Sequence, residues 1–299
     1  MSLLADAQAL MIGASARLTV RYGTPLQLAG QDLPDPERMR VETRHGRVRC
    51  EVYRHPLGHG PAPVHVHFHG GAFLMRYPAM DDFWCRYLVA KTGVTVVNVD
   101  YDVAPRHRYP VAQHQAHDVL AWIQAHGAEE DLDPAHVTVG GFSAGGNLAA
   151  SACLQAAALG TPMPALQLLG VPSLDVSTSD KPGPAGAMIT PALIDLVRRT
   201  YFRDADRRLE PFASPVLAED LATQPPAFVV TGSRDRLRAE AVQYVDQLRA
   251  AGVPVVHHDL PGQDHYFLDG STEHARRVMD LMAAAVVEAL VPSAGGPAT

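Results

Sequence analysis

Residues 141–145 read Gly-Phe-Ser-Ala-Gly, which has the form G-x-S-x-G. The β-branched run at 136–140 directly precedes them, and the run at 147–154 has the composition of a helix. A serine on a sharp turn from a strand into a helix is a typical nucleophile, because the turn exposes its Oγ above the sheet. The flanking glycines permit this turn, since it is too tight for a Cβ on either side of the serine. The pattern therefore predicts that Ser143 is a catalytic nucleophile.

A nucleophilic serine requires a base and an acid that orients the base. In folds with this turn, the acid and then the histidine follow the serine along the chain. Residues 226–231 form a predicted buried strand, and Asp235 follows in the loop at its carboxyl end, where α/β folds place catalytic groups. The next predicted strand, 253–257, is followed by His265. The order predicts a triad of Ser143, Asp235 and His265.

The donors that stabilise the oxyanion are expected in the loop after an earlier strand. The predicted strand 64–68 is followed by His69-Gly70-Gly71-Ala72-Phe73. Two glycines let the backbone approach the substrate and direct N–H groups toward it. The residue after the nucleophile, Ala144, supplies the second source of N–H donors.

Taken together, these segments resemble the hormone-sensitive lipase-like family of α/β-hydrolase esterases. Residues 69–73 are similar to its H-G-G-G/A-[FW] loop, and 141–148 are similar to its G-D-S-A-G-G-N-L turn. The other similar blocks lie at 100–105, 213–215, 235–238, 251–254 and 265–267. The resemblance runs from about residue 40 to residue 290.

The resemblance implies roles for individual residues. It assigns the triad to Ser143, Asp235 and His265. It assigns the oxyanion donors to Gly71, Ala72 and Ala144, with His69 and Gly70 supporting the loop. Ala72 stands where a third glycine is commoner, but alanine keeps the backbone N–H.

The resemblance also implies the fold and the activity. The expected fold is the α/β-hydrolase fold, with a mostly parallel sheet, helices on both faces and a helical cap. The expected activity is hydrolysis of short- to medium-chain carboxylic esters through an acyl-enzyme, without a cofactor. An amidase such as a formamidase shares the fold and stays an alternative. A non-catalytic receptor is a further alternative, although the plant receptors that resemble this family lose the triad histidine.

The chain pattern indicates one core with an inserted cap. Strands alternate with helices predicted at about 79–92, 110–126, 144–159, 237–251 and 272–290, which favours a parallel sheet covered on both faces. We expect the core at 46–175 and 212–291, and the cap at 1–45 and 176–211. The first cap segment is predicted as a helix followed by a loop. In the second, Thr190 and Pro191 predict the start of a helix. Residues 292–299 are expected to be a disordered tail.

Composition excludes several classes of partner. The chain has 299 residues and a formal net charge of −7, which argues against nucleic acid. Three scattered cysteines form neither a disulfide framework nor a metal motif, which suits a cytoplasmic protein. No apolar stretch reaches the roughly 18 residues of a membrane span. A small ester is the expected partner, and a homodimer is possible.

Several residues near these motifs allow other interpretations. His65, His67 and His69 alternate on one strand and share a face, but no metal site is predicted from them. Asp264, adjacent to His265, is a less favoured alternative for the triad acid. We expect Glu240 and Asp269 to be surface or capping groups, and residues 100–101 to fix a loop.

Overall fold

A central sheet of eight strands organises the part of the chain that the structure describes. The structure, a computed structural model, describes residues 3–20, 26–58 and 60–290. The predicted tail at 292–299 lies outside the described residues. The strands are β1 (Glu37–Thr43), β2 (Gly46–Tyr53), β3 (Ala62–Phe68), β4 (Thr95–Asp100), β5 (Leu132–Phe142), β6 (Gln167–Gly170), β7 (Ala227–Gly232) and β8 (Val255–Leu260).

Most of the sheet is parallel. Its strand order is β1-β2-β4-β3-β5-β6-β7-β8. The pairs from β4 to β8 are all parallel, whereas β2 pairs antiparallel with both β1 and β4. The loops after β3, β5, β7 and β8 therefore meet at one edge of the sheet, where open α/β sheets bind ligands. The predicted α/β-hydrolase architecture is confirmed.

Helices cover both faces of this sheet. They are α1 (Leu3–Thr19), α2 (Asp82–Thr92), α3 (Val111–His126), α4 (Ala144–Leu159), α5 (Pro191–Thr200), α6 (Arg238–Ala250) and α7 (Thr272–Leu290). Successive side chains of a strand point to opposite faces. Val97 of β4 accordingly packs in the hydrophobic cluster that contains residues of α3, α4 and α6. Its neighbour Val96 packs in a second cluster with residues of α2 and α7. The sheet is thus buried on both faces, as its continuous apolar strands predict.

Strand β1 differs from the sequence prediction. Residues 37–43 were expected to be a loop within the first cap segment, but they form an edge strand paired with β2. Met39 and Val41 are buried there, whereas Arg38, Arg40 and Glu42 are exposed. This alternation is the signal of a strand with one buried face. The division into core and cap stays a prediction, with β1 a part of the sheet.

The two helices of the predicted cap contact each other. α5 begins where its sequence predicts, with the Thr190 side chain accepting a hydrogen bond from the N–H of Leu193 at 3.2 Å and Pro191 in the first turn. α1 packs against α5.

Of the helices within 3–20, 26–58 and 60–290, none combines the length and apolar character needed to cross a membrane.

Candidate active site

Ser143 lies between the end of β5 and the start of α4. Its φ of 55° and ψ of −114° place a non-glycine residue in strained backbone geometry. Two hydrogen bonds hold the turn: the N–H of Ser143 donates to the Gly170 carbonyl at 2.9 Å, and the Ser143 carbonyl accepts from the N–H of Ser173 at 3.1 Å. The surrounding structure therefore maintains the strain at the predicted nucleophile.

The glycines beside this turn are required by close packing. A Cβ on Gly141 or Gly145 would lie closer than 3.0 Å to the backbone carbonyl oxygen of Phe68 in β3. Such a separation would force the helix away from the strand. The G-x-S-x-G pattern thus reflects how tightly α4 approaches the sheet behind Ser143.

His265 and Asp235 form a buried hydrogen-bonded pair. The imidazole Nδ1 lies 2.8 Å from Asp235 Oδ2, and the N–H of Leu237 donates to Asp235 Oδ1 at 3.0 Å. His265 is only 7% exposed and Asp235 only 5%. With Nδ1–H donating to the carboxylate, Nε2 is left with a free lone pair that can accept a proton.

Asp264 uses its carboxylate elsewhere. Its Oδ1 accepts from the backbone N–H of His265 at 2.8 Å, and its Oδ2 accepts from the N–H of Met188 at 2.9 Å. It orients the backbone of this loop, whereas Asp235 contacts the imidazole. The geometry therefore supports Asp235 as the acid, as favoured from the sequence.

The loop at 69–73 carries backbone N–H groups with no partner among the described residues. Gly71, Ala72 and Phe73 have φ values of 115°, 56° and 57°. A Cβ on Gly71 would also lie 2.9 Å from the Cβ of Met75, so both conformation and space require glycine there. The N–H groups of Gly71 and Ala72 donate to none of the described residues. Ala144, at the first position of α4, has an N–H without an intrahelical partner.

Two buried side chains anchor this loop. Asp81, which was not predicted from the sequence, accepts hydrogen bonds from His67 Nε2 at 2.9 Å and from the N–H of Gly70 at 3.3 Å. The Tyr101 hydroxyl donates to the carbonyls of His69 and Gly70 at 2.7 and 3.2 Å. Residues 100–101 were predicted to fix a loop, and Tyr101 does so at the candidate oxyanion site.

The three histidines of the β3 region each form a hydrogen bond with a neighbouring group. His65 Nδ1 lies 2.9 Å from the Thr138 hydroxyl, and His69 Nδ1 lies 2.6 Å from the Gly70 carbonyl. Burial lowers the pKa of both His65 and His69, which favours their neutral forms. Within the described ranges, no three His, Cys, Asp or Glu side chains are grouped so that they could hold a metal ion.

Glu240 is not the surface or capping group that was predicted, whereas Asp269 is exposed. The Glu240 carboxylate is buried and forms an ion pair with buried Lys181, which comes from the predicted cap. Its Oε1 also accepts from the N–H of Leu174 at 2.8 Å. Burial raises the pKa of Glu240 to about 7, although Lys181 opposes the shift. The pair connects the start of the second cap segment to Glu240 in the first turn of α6.

Two cavities open on Ser143. The larger, about 270 Å³, also contacts Gly71, Ala72 and His265. The smaller, about 50 Å³, contacts Ala72 and Ala144 but not His265. The structure thus brings the predicted nucleophile, base and oxyanion donors to the walls of two neighbouring cavities.

Comparisons with known proteins show that this chain is similar to esterases. A family described by its alpha/beta hydrolase fold matches residues 65–269. The carboxylic ester hydrolase LipN of Mycobacterium tuberculosis is 34% identical over 233 residues, covering 75% of this chain and 62% of LipN, which is less than two thirds of its length. The esterase LipI of the same organism is 37% identical, with 75% of this chain and 72% of LipI covered. A solved Pyrobaculum calidifontis esterase is similar, with a TM-score of 0.84, 30% identity and 96% and 94% of the two chains covered.

Proposed function

Because the chain belongs to the hormone-sensitive lipase-like family of α/β-hydrolases, we propose that it is a serine carboxylesterase for short- to medium-chain esters. The observation that carries this proposal is the His265–Asp235 hydrogen bond beside the cavity that Ser143 lines. LipN and LipI are named as ester hydrolases, which favours an ester over an amide as the substrate.

In the proposed mechanism, Ser143 Oγ attacks the ester carbonyl carbon while His265 Nε2 accepts the hydroxyl proton. The resulting oxyanion accepts hydrogen bonds from backbone N–H groups, each worth on the order of 3 kcal/mol in the transition state. Asp235 holds the imidazole tautomer and stabilises the imidazolium. The carbon–oxygen bond to the alcohol then breaks, and His265 gives its proton to the leaving oxygen. No cofactor takes part.

Water completes the cycle by the same chemistry. His265 removes a proton from a water molecule, and the hydroxide attacks the acyl-Ser143 carbonyl. The second oxyanion uses the same proposed donors, Gly71, Ala72 and Ala144. When it collapses, the carboxylic acid is released and Ser143 Oγ recovers its proton from His265.

Substitution of the nucleophile tests the proposal. Ser143→Ala and His265→Ala should each lower kcat for p-nitrophenyl butanoate by about 10⁴- to 10⁶-fold, because the two residues act as one unit. Ser151→Ala makes the same chemical change at a buried serine of α4 whose hydroxyl lies 3.3 Å from Gln155 Nε2. It should keep turnover within about threefold of wild type. Near wild-type turnover in Ser143→Ala would exclude the proposed mechanism.

Two alternatives are separated by simple measurements. An amidase would cleave p-nitroacetanilide at a rate comparable with p-nitrophenyl acetate, whereas an esterase should strongly favour the acetate. A receptor would bind an ester without turning it over. The intact His265–Asp235 pair supports turnover.

A cytoplasmic location and a homodimer stay proposals, and sedimentation equilibrium of the purified protein tests the homodimer.

A further inference from the structure

The two cavities beside Ser143 differ about fivefold in volume. The smaller measures about 50 Å³ and the larger about 270 Å³. Ala72 and Leu193 contribute to the walls of both. An ester bound at Ser143 has two arms, an acyl chain and an alcohol, which must extend into different spaces.

Proton transfer determines which arm occupies which cavity. In the proposed mechanism, on which this inference rests, His265 protonates the oxygen of the leaving alcohol. That oxygen must therefore lie on the side of Ser143 that faces the imidazole. His265, Tyr266 and Phe267 line the larger cavity and are absent from the walls of the smaller one. The alcohol thus belongs in the larger cavity, and the acyl chain extends into the smaller.

The smaller cavity has room for only a short chain. A single water molecule requires roughly 10–15 Å³ on the same measure, so about 50 Å³ holds about three to five groups of that size. Ile194 and Val197 of α5 form part of its apolar wall, and Lys181 lies at its boundary. Lys181 is held by the buried ion pair with Glu240, and separating such a pair is costly. A longer chain that displaced Lys181 would have to separate this pair.

We propose that the smaller cavity is the acyl site and restricts the enzyme to acyl groups of about two to four carbons, with Val197 as a specificity-determining residue. The larger cavity accepts the alcohol and tolerates longer or ring-containing groups. The substrate class is therefore short-acyl esters of larger alcohols, rather than long-chain fatty esters of small ones.

Two ester series measured on the intact chain test this assignment. The first varies the acyl group of p-nitrophenyl esters from acetate to dodecanoate. The second varies the alcohol of acetates from ethyl to octyl and benzyl, with acid release followed in a pH-stat. In wild type, kcat/KM should be highest between acetate and butanoate and at least tenfold lower for octanoate. Along the alcohol series it should vary by less than about fivefold.

A pair of variants assigns each cavity separately. Val197 is half-buried and lines only the smaller cavity, so Val197→Ala should enlarge it without unfolding α5. Its hexanoate-to-butanoate ratio of kcat/KM should rise at least fivefold, while the alcohol series stays unchanged. Met188 lines only the larger cavity. Met188→Ala should change the alcohol series and leave the acyl series as in wild type.

The outcomes separate this inference from the proposed function. A wild-type protein that hydrolyses no ester would overturn both the proposed function and the cavity assignment. Hydrolysis that survives in Ser143→Ala would do the same. Ser143-dependent hydrolysis that is as fast for octanoate as for butanoate would overturn only the cavity assignment. The same holds if Val197→Ala altered the alcohol series and left the acyl series unchanged.

Discussion

Removing the hydroxyl of Tyr101 should reveal how much catalysis depends on the anchored loop at 69–73, the proposed oxyanion site. Tyr101 is completely buried, and its hydroxyl donates to the carbonyls of His69 and Gly70 at 2.7 and 3.2 Å. Its ring stacks on His69 with centroids 4.3 Å apart, a contact that phenylalanine would keep. Tyr101→Phe therefore removes the hydrogen bonds and little else.

The expected fall in kcat of Tyr101→Phe follows from the contacts that the loop keeps in this variant. The Gly70 carbonyl keeps its contact with His69 Nδ1, so the His69 carbonyl is the one that loses its donor. Leaving one buried carbonyl without a donor costs about 1–3 kcal/mol of folding free energy. Loss of a whole oxyanion donor costs about 3–4 kcal/mol of transition-state stabilisation. Asp81 still holds the N–H of Gly70 in the variant, so the loop should shift rather than unfold. We expect kcat to fall about 10- to 100-fold, equivalent to about 1.4–2.7 kcal/mol, with KM within about threefold of wild type.

The assay compares this variant with a matched one. Tyr87→Phe also removes a tyrosine hydrogen bond, from its hydroxyl to Asp280 Oδ1 at 2.6 Å, but that bond joins α2 to α7 away from Ser143. Steady-state kinetics with p-nitrophenyl acetate and urea unfolding should be measured for both. Both variants should lose stability, and only Tyr101→Phe should lose kcat. Equal kcat values in the two variants would refute a positioning role for Tyr101.

Two other substitutions test the buried ion pair and the unusual third residue of the loop. Lys181→Met should cost about 3–5 kcal/mol in urea unfolding at neutral pH, because it leaves Glu240 buried without its cation, and adding Glu240→Gln should recover part of that loss. The pKa of Glu240 is already raised from 4.5 to about 7, so the stability lost in Lys181→Met should be smallest below pH 4.5 and should grow as pH rises through neutrality. Strictly additive or pH-independent losses would contradict this. Ala72→Gly should change kcat for a small ester by less than about tenfold, because glycine keeps the N–H and adopts the φ of 56° without strain. A thousandfold loss in steady-state assays would show that the methyl group has a role of its own.

The fold could be predicted, and a candidate site proposed, because their signals are local. The strand before Ser143 and the helix after it are continuous in sequence, and the glycines between them record how closely α4 approaches β3. Asp235 and His265 each follow a parallel strand, so the sheet brings them to the same edge. The alternation of strands and helices in the sequence is sufficient to place the loops of Asp235 and His265 at that edge.

The supporting groups could not be predicted because their roles depend on long-range partners. Asp81 reaches the loop at 69–73 only because the turn before α2 brings its carboxylate to His67 and Gly70. Glu240 looked like a surface residue of a helix, but its partner lies 59 residues away in the predicted cap. Strand β1 shows a different failure, since its alternating pattern was present but was interpreted as a loop.

Covalent labelling of Ser143 tests the central claim most directly. A p-nitrophenyl alkylphosphonate should release one equivalent of p-nitrophenol per chain and stop ester turnover in proportion. Mass spectrometry of the digested protein should then place the phosphonyl group on Ser143, and Ser143→Ala should remain unlabelled. Full ester turnover by the labelled protein, or a label on a different residue, would contradict the account.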